Sequence, residues 1–119
     1  MEEAVLFDGP SIEVVDNTGQ NRFELWLNGD LVGILGYFDY AEPGQIRRPG
    51  RRVVSLMHTV ITEDFGHRGL AGELAKGALD YARRYGWQVR PVCTYVQRFL
   101  AEHPDYREAL MGAEIPRAV

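Results

Sequence analysis

A chain of 119 residues with a quarter of them charged has room for one domain and one sizeable core, and its single cysteine, Cys93, excludes an internal disulfide. The net charge of -4 and a pI near 5.3 argue against nucleic acid as a partner, which calls for a basic footprint. No stretch approaches the roughly 18–20 apolar residues of a membrane span, and the acidic start Met1-Glu2-Glu3 lacks the regions of a signal peptide, so the cytoplasm is the expected compartment.

The first half reads as antiparallel strands. Ile12, Val14 and Val15 form a short apolar run that ends at the turn residues Asp16-Asn17-Thr18-Gly19. Phe23, Leu25 and Leu27 alternate with Arg22, Glu24 and Trp26, the period of a half-buried strand. Asn28-Gly29 is a hairpin signal, and Leu31 to Tyr40 reads as the partner strand. A polar loop from Ala41 to Arg52 follows, with Arg47, Arg48, Arg51 and Arg52 as a basic patch. That patch reads as a solvated hairpin tip or as a contact for an acidic group.

Val53 to Ile61 is apolar on both faces, with Val53, Met57 and Ile61 on one and Val54, Leu56 and Val60 on the other. The pattern predicts a central strand with helices covering the sheet. Leu70, Leu74, Ala78, Tyr81, Ala82 and Tyr85 then recur at helical spacing, Lys76 and Asp80 form an i,i+4 pair, and Gly86 stands in the stop position. Gln88 to Val92 is a short strand, parallel to the one before the helix. Thr94 to Glu102 reads as a second helix, Asp105 to Met111 as a further turn or two, and the tail from Gly112 as frayed. The expected fold is α/β (α+β), a mixed, mostly antiparallel sheet of about five strands with two main helices. A single domain spans 1–119, its core about 11–111.

The junction of the central strand and the first helix reads Thr62-Glu63-Asp64-Phe65-Gly66-His67-Arg68-Gly69-Leu70-Ala71. The first turn of a helix leaves N–H groups without partners and carries a partial positive charge. None of the residues that usually cap it stands between Gly66 and Gly69. Glycines allow close backbone approach, and the free donors suit a pyrophosphate, with His67 and Arg68 adding charge. The same residues also suit a tight turn with water on its N–H groups. The spacing is neither the P-loop nor the dinucleotide fingerprint.

Taken together, His58-Thr59, Phe65-Gly66-His67-Arg68-Gly69-Leu70-Ala71, Cys93-Thr94-Tyr95-Val96 and His103-Pro104-Asp105-Tyr106 resemble the small, single-domain branch of the GNAT N-acetyltransferase superfamily. The resemblance runs from about Arg22 to Leu110. It implies that acyl-coenzyme A binds with its pyrophosphate on the backbone of Gly66, His67, Arg68, Gly69, Leu70 and Ala71. It further implies a last parallel strand that splays from the central one, so that the pantetheine arm lies between them, near Val60 and Ile61. Two positions depart from the superfamily pattern. Gly66 stands where a Gln or Arg is usual, which removes a side chain but not the backbone donors. Val60 stands where related small members often carry Glu directly after His-Thr, which removes a carboxylate base from the strand.

Amine acetylation requires a base for the ammonium proton, donors for the oxyanion and an acid for the leaving thiolate. His58 is the candidate base, or else a sheet-face histidine satisfied by a neighbour. Glu63 and Asp64 could relay a proton or be solvated loop charges. Cys93 reads as a nucleophile beside the thioester or as a small buried hydrophobe. Tyr95 reads as the general acid or as an aromatic core contact, and Trp26 and Trp87 as packing. The resemblance therefore implies direct transfer from acetyl-coenzyme A to an amine, with no metal. The short N-terminal half leaves the acceptor side open, which favours a protein or peptide amine. The alternative is an acyl-coenzyme A-binding or sensing module with little or no transfer. The sequence does not specify the oligomeric state.

Overall fold

Asn28 and Gly29 take left-handed backbone, with φ of 51° and 87°, the geometry a two-residue turn needs to match the twist of the strands it joins. The hairpin pairs β2 (Arg22–Leu27) with β3 (Asp30–Asp39) in the computed structural model of the chain, which describes residues 11–39, 52–62 and 69–111. β1 (Ile12–Asn17) lies antiparallel to β2, β4 (Val53–Ile61) antiparallel to β3, and β5 (Gln88–Pro91) parallel to β4. Strand order follows chain order. The crossover between the parallel pair is α1 (Leu70–Arg84). α2 (Thr94–Glu102) follows β5, and the turn expected after Pro104 is a third helix, α3 (Pro104–Met111). This is the expected mixed, mostly antiparallel five-stranded sheet with helices packed on it.

Residues opposite one another on paired strands share a face. The registers place Val14, Leu25, Gly33 and Ile61 in one row across four strands, and Asp16, Phe23, Leu35 and Thr59 in the next. α1 lies on this face. A Cβ on Gly77 would meet Val14 Cγ2 at 2.6 Å, and one on Gly33 would meet Ile61 Cδ1 at 2.6 Å and Leu74 Cδ2 at 3.5 Å. One hydrophobic cluster joins the sheet's Phe23, Leu35 and Leu56 to Leu74 of α1, Val96 of α2 and Leu110 of α3.

The regular alternation expected along β4 is broken. Tyr37 pairs with Leu56 but Gly36 pairs with His58, so Met57 is an extra residue in a β-bulge. The slip puts Val54, Leu56, Thr59 and Ile61 on the helix face, and Ser55, His58 and Val60 on the outer face. Among the described residues every helix packs on the helix face, which corrects the expectation of a strand covered on both sides; Val60 is 52% exposed.

α1 buries Leu70, Leu74, Ala78 and Ala82 as its spacing implied, and adds Ala75 and Leu79. Tyr85 does not belong to that stripe. It caps the helix end and is exposed, its ring tilted 42° to that of Tyr81 with centroids 4.6 Å apart. Gly86, at φ 73°, then reverses the chain. The Lys76–Asp80 pair forms at 3.4 Å on the exposed side. Arg52 is anchored: it pairs with Asp39 at 2.9 Å and covers the Trp87 ring at 4.5 Å. Arg47, Arg48 and Arg51 lie outside the described residues, as does the tail from Gly112.

Candidate functional site

β5 pairs with β4 only from Val53 and Gln88 to Leu56 and Pro91. The Leu56 carbonyl then accepts from the N–H groups of both Val92, at 3.0 Å, and Cys93, at 2.8 Å, and the chain turns away into α2. β4 runs on to Ile61 with β3 as its one strand partner among the described residues. Alternate peptide groups of a strand point to opposite edges. The stretch from Met57 to Ile61 therefore presents N–H and C=O groups to a gap where β5 would have continued. Met57, Val60 and Val92, on the two parting strand ends, are exposed.

α1 begins at Gly69, whose φ of 75° and ψ of 11° are left-handed and which carries no side chain to cap the first turn. Leu70 is buried behind it and Ala71 is half-buried. Gly66, His67 and Arg68, with Glu63 and Asp64, lie outside the described residues. Tyr95 is the second residue of α2, and its hydroxyl reaches the first turn of α1, where a Cβ on Gly72 would meet it at 3.3 Å.

Neighbouring residues of a strand point to opposite faces, and the bulge decides which of His58 and Thr59 turns to the helices. Thr59 turns to the helix face, where its Oγ1 lies 3.3 Å from Cys93 Sγ. Cys93 is buried there. His58 turns to the outer face, is exposed, and lies over Gly36 of β3. The structure thus does not bring His58 and Cys93 together. Sequence reasoning gave Thr59 no role; its one signal was its place in the His58-Thr59 pair.

The outer-face row that holds His58 continues through Gly36 to Arg22 and Asn17. Beside it sits a buried carboxylate, Glu24, only 6% exposed. It accepts from Asn17 Nδ2 at 2.8 Å, from Arg22 Nε and Nη2 at 2.9 Å each, and from Trp26 Nε1 at 3.1 Å. The Asn17 amide above all, then Arg22 and Trp26, holds its pKa below the ordinary value against the opposing cost of burial. Trp26, read from sequence as packing, is a donor in this network. Among the described residues no cluster of His, Cys, Asp and Glu could hold a metal, and no helix is long and apolar enough to cross a membrane.

A family model described as GCN5-related N-acetyl-transferase matches residues 22–109, across β2 to α3. The chain belongs to that family. It is similar to Protein NATD1 of Mus musculus, 29% identical over 109 residues, covering 90% of this chain and 92% of the relative. It is similar also to Protein NATD1 of Bos taurus, 31% identical over 104 residues with 86% and 85% covered, and of Homo sapiens, 30% over 107 residues with 88% of each covered. The fold matches a ribosomal-protein-alanine N-acetyltransferase from Brucella melitensis biovar Abortus 2308 with a TM-score of 0.52 at 20% identity. That match covers 69% of this chain and 59% of the Brucella protein. At that identity the likeness is one of fold.

Proposed function

We propose that the chain binds acetyl-coenzyme A and transfers its acetyl group directly to an amine. The observation that carries this reading is the parting of β4 and β5 after Leu56, within a GCN5-related fold. An amide-bearing arm laid along β4 would use the peptide groups that β5 leaves unpaired. The uncapped N–H groups at Gly69, Leu70 and Ala71 suit the pyrophosphate, and Gly66, His67 and Arg68 would extend that cradle. The backbone near Val60 and Ile61 would polarise the thioester carbonyl.

The roles of the side chains follow from where they lie. His58, exposed on the outer face, accepts the ammonium proton as the amine bonds to the acyl carbon and the C–S bond breaks. The Tyr95 hydroxyl, at the start of α1, protonates the thiolate. Cys93 is buried and turned to Thr59, and His58 is on the other face, which favours direct attack over an acyl-cysteine route. The outer face bears exposed residues beside His58, in keeping with a protein or peptide amine as acceptor. A second reading, a coenzyme A-binding module that transfers little, is favoured by one observation: Val60, beside His58 and Thr59, offers no carboxylate.

Thermal unfolding with coenzyme A and acetyl-coenzyme A tests the ligand. A ligand at a hundredfold excess over its Kd adds about 2.7 kcal/mol, on the order of 10 °C for a chain of this size. Gly69→Asp keeps a residue tolerant of left-handed backbone but sets a carboxylate at the cradle, and should abolish the shift. No shift in the wild type at millimolar ligand refutes the reading. Release of free thiol when an amine is supplied separates transferase from sensor, and His58→Ala should lower that rate with little change in binding.

A further inference from the structure

We propose that Gly36 is a positioning residue: the absence of its side chain provides the shelf on which the His58 imidazole lies, and so sets the direction of the ring nitrogens. The inference rests on the reading of His58 as the proton acceptor. Three observations converge on it. The β4 bulge at Met57 turns His58 onto the outer face directly opposite Gly36. A Cβ on Gly36 would stand 2.9 Å from Cε1, 3.0 Å from Nε2 and 3.5 Å from Nδ1 of that ring, so the imidazole lies across the β3 backbone itself. Gly36 is also absent from the positive-φ glycines, Gly29, Gly69 and Gly86. Its backbone conformation is open to any residue; the space above it is not. Glycine weakens a strand interior and often marks a bulge or a close approach; Gly36 faces the bulge, and the His58 ring lies within 3 Å of where its Cβ would stand.

The rest of the row keeps the shelf clear. Arg22 is the next residue across from Gly36, and its guanidinium is drawn onto Glu24 through Nε and Nη2. Glu24 is in turn fixed by Asn17 and Trp26. Cys93 and Thr59, on the helix face, have no part in the arrangement.

Gly36→Ala is a mild probe, because the clash falls on the far end of a side chain that can swing aside. The fold should survive and the ring should move. Two measurements read this on the full-length chain. In histidine ring NMR spectra, Gly36→Ala should shift the His58 carbon and nitrogen resonances and remove contacts from the ring to residue 36, leaving those of His103 in place. In kinetics with acetyl-coenzyme A and poly-L-lysine, read as free thiol, a general base contributes about 10²–10⁴-fold. Gly36→Ala should cost at least roughly tenfold in kcat in the wild-type background, but less than about twofold in a His58→Ala background.

Unmoved His58 resonances overturn the shelf. Equal losses in both backgrounds make Gly36 merely structural and overturn the proposal as well. Full activity in His58→Ala removes the base reading and this inference with it. That outcome is distinct from a failure of coenzyme binding, which the thermal shift reports separately.

Discussion

Gly77 sits inside α1, where glycine is ordinarily a defect. Replacing an interior helix glycine by alanine stabilises by about 0.8–1.0 kcal/mol when the site is free. Here it is not. The new Cβ would lie 2.6 Å from Val14 Cγ2, 2.7 Å from Val14 Cβ and 3.0 Å from Cγ1. Carbon atoms rest at roughly 3.5–4.0 Å, so about 1 Å must be found. Val14 cannot supply it by rotating, because a β-branched side chain is stiff at χ1 and its Cβ is fixed to the β1 backbone. α1 must lift, at the 1–3 kcal/mol typical of overpacking. The crowding outweighs the propensity, and Gly77→Ala should destabilise by about 1 kcal/mol net, lowering Tm by about 3–6 °C. Thermal unfolding of Gly77→Ala, Val14→Ala and the double variant tests this, because Val14→Ala removes the obstruction. The double variant should then be more stable than the sum of the singles by about 1 kcal/mol or more. A rise in Tm for Gly77→Ala alone, or additive singles, refutes the reasoning.

Glu24→Gln should cost about 2 kcal/mol near neutrality, since an amide cannot accept from Asn17, Arg22 and Trp26 together. The folded pKa of Glu24 is lowered from 4.5, so this stability is present above the unfolded value and lost as pH falls through the folded one. The wild-type advantage in urea should therefore shrink as pH drops below about 4.5. Burial, and then the hydrogen bond to Asp16, holds the Tyr37 hydroxyl above its ordinary range. Burial likewise raises Tyr81 and Tyr106, so at least three of the six tyrosines should ionise late in an alkaline absorbance titration. Their contribution is full below the unfolded value near 10 and lost as pH rises through the folded ones; Tyr37→Phe, which removes the hydrogen bond to Asp16, should destabilise by about 1 kcal/mol, less so above pH 10. Cys93→Ala should leave acetyl transfer within a few-fold of wild type, and intact-mass spectra of the wild type after acetyl-coenzyme A should show no acyl adduct on Cys93. A stoichiometric adduct that an amine discharges would restore the covalent route.

Much of the fold is legible in the chain because its signals are local. Asn28-Gly29 encodes its own turn, and the stripe from Leu70 to Ala82 needs no partner to be recognised as a helix face. The bulge is different. A single extra residue at Met57 leaves a run that is apolar at both parities, and sequence pattern reads such a run as a strand buried on both sides. The slip becomes visible only when Gly36 and Tyr37 on β3 are matched to His58 and Leu56. Which of His58 and Thr59 faces the helices and Cys93 was hidden for the same reason, since it depends on phase across strands. The role of Glu24 was equally hidden, because its partners Asn17, Arg22 and Trp26 meet only through the β1–β2 register and the side chains of one face. Tyr85 has the right spacing for the core but falls one residue past the last turn of α1, where the chain has already begun to leave.

The forked bond at Leu56, one carbonyl holding the N–H groups of Val92 and Cys93, also leaves, among the described residues, a strand edge without a strand partner away from the margin of the sheet. Unpaired strand edges are templates for other chains, and proteins usually blunt them with charge or proline. From Met57 to Ile61 this edge holds no Lys, Arg, Asp, Glu or Pro, and the exposed Met57 and Val60 border it. If coenzyme A lies along β4 as proposed, it covers this edge and acts as a chaperone of its own site, and adding it should keep the chain monodisperse at concentrations where the free protein self-associates.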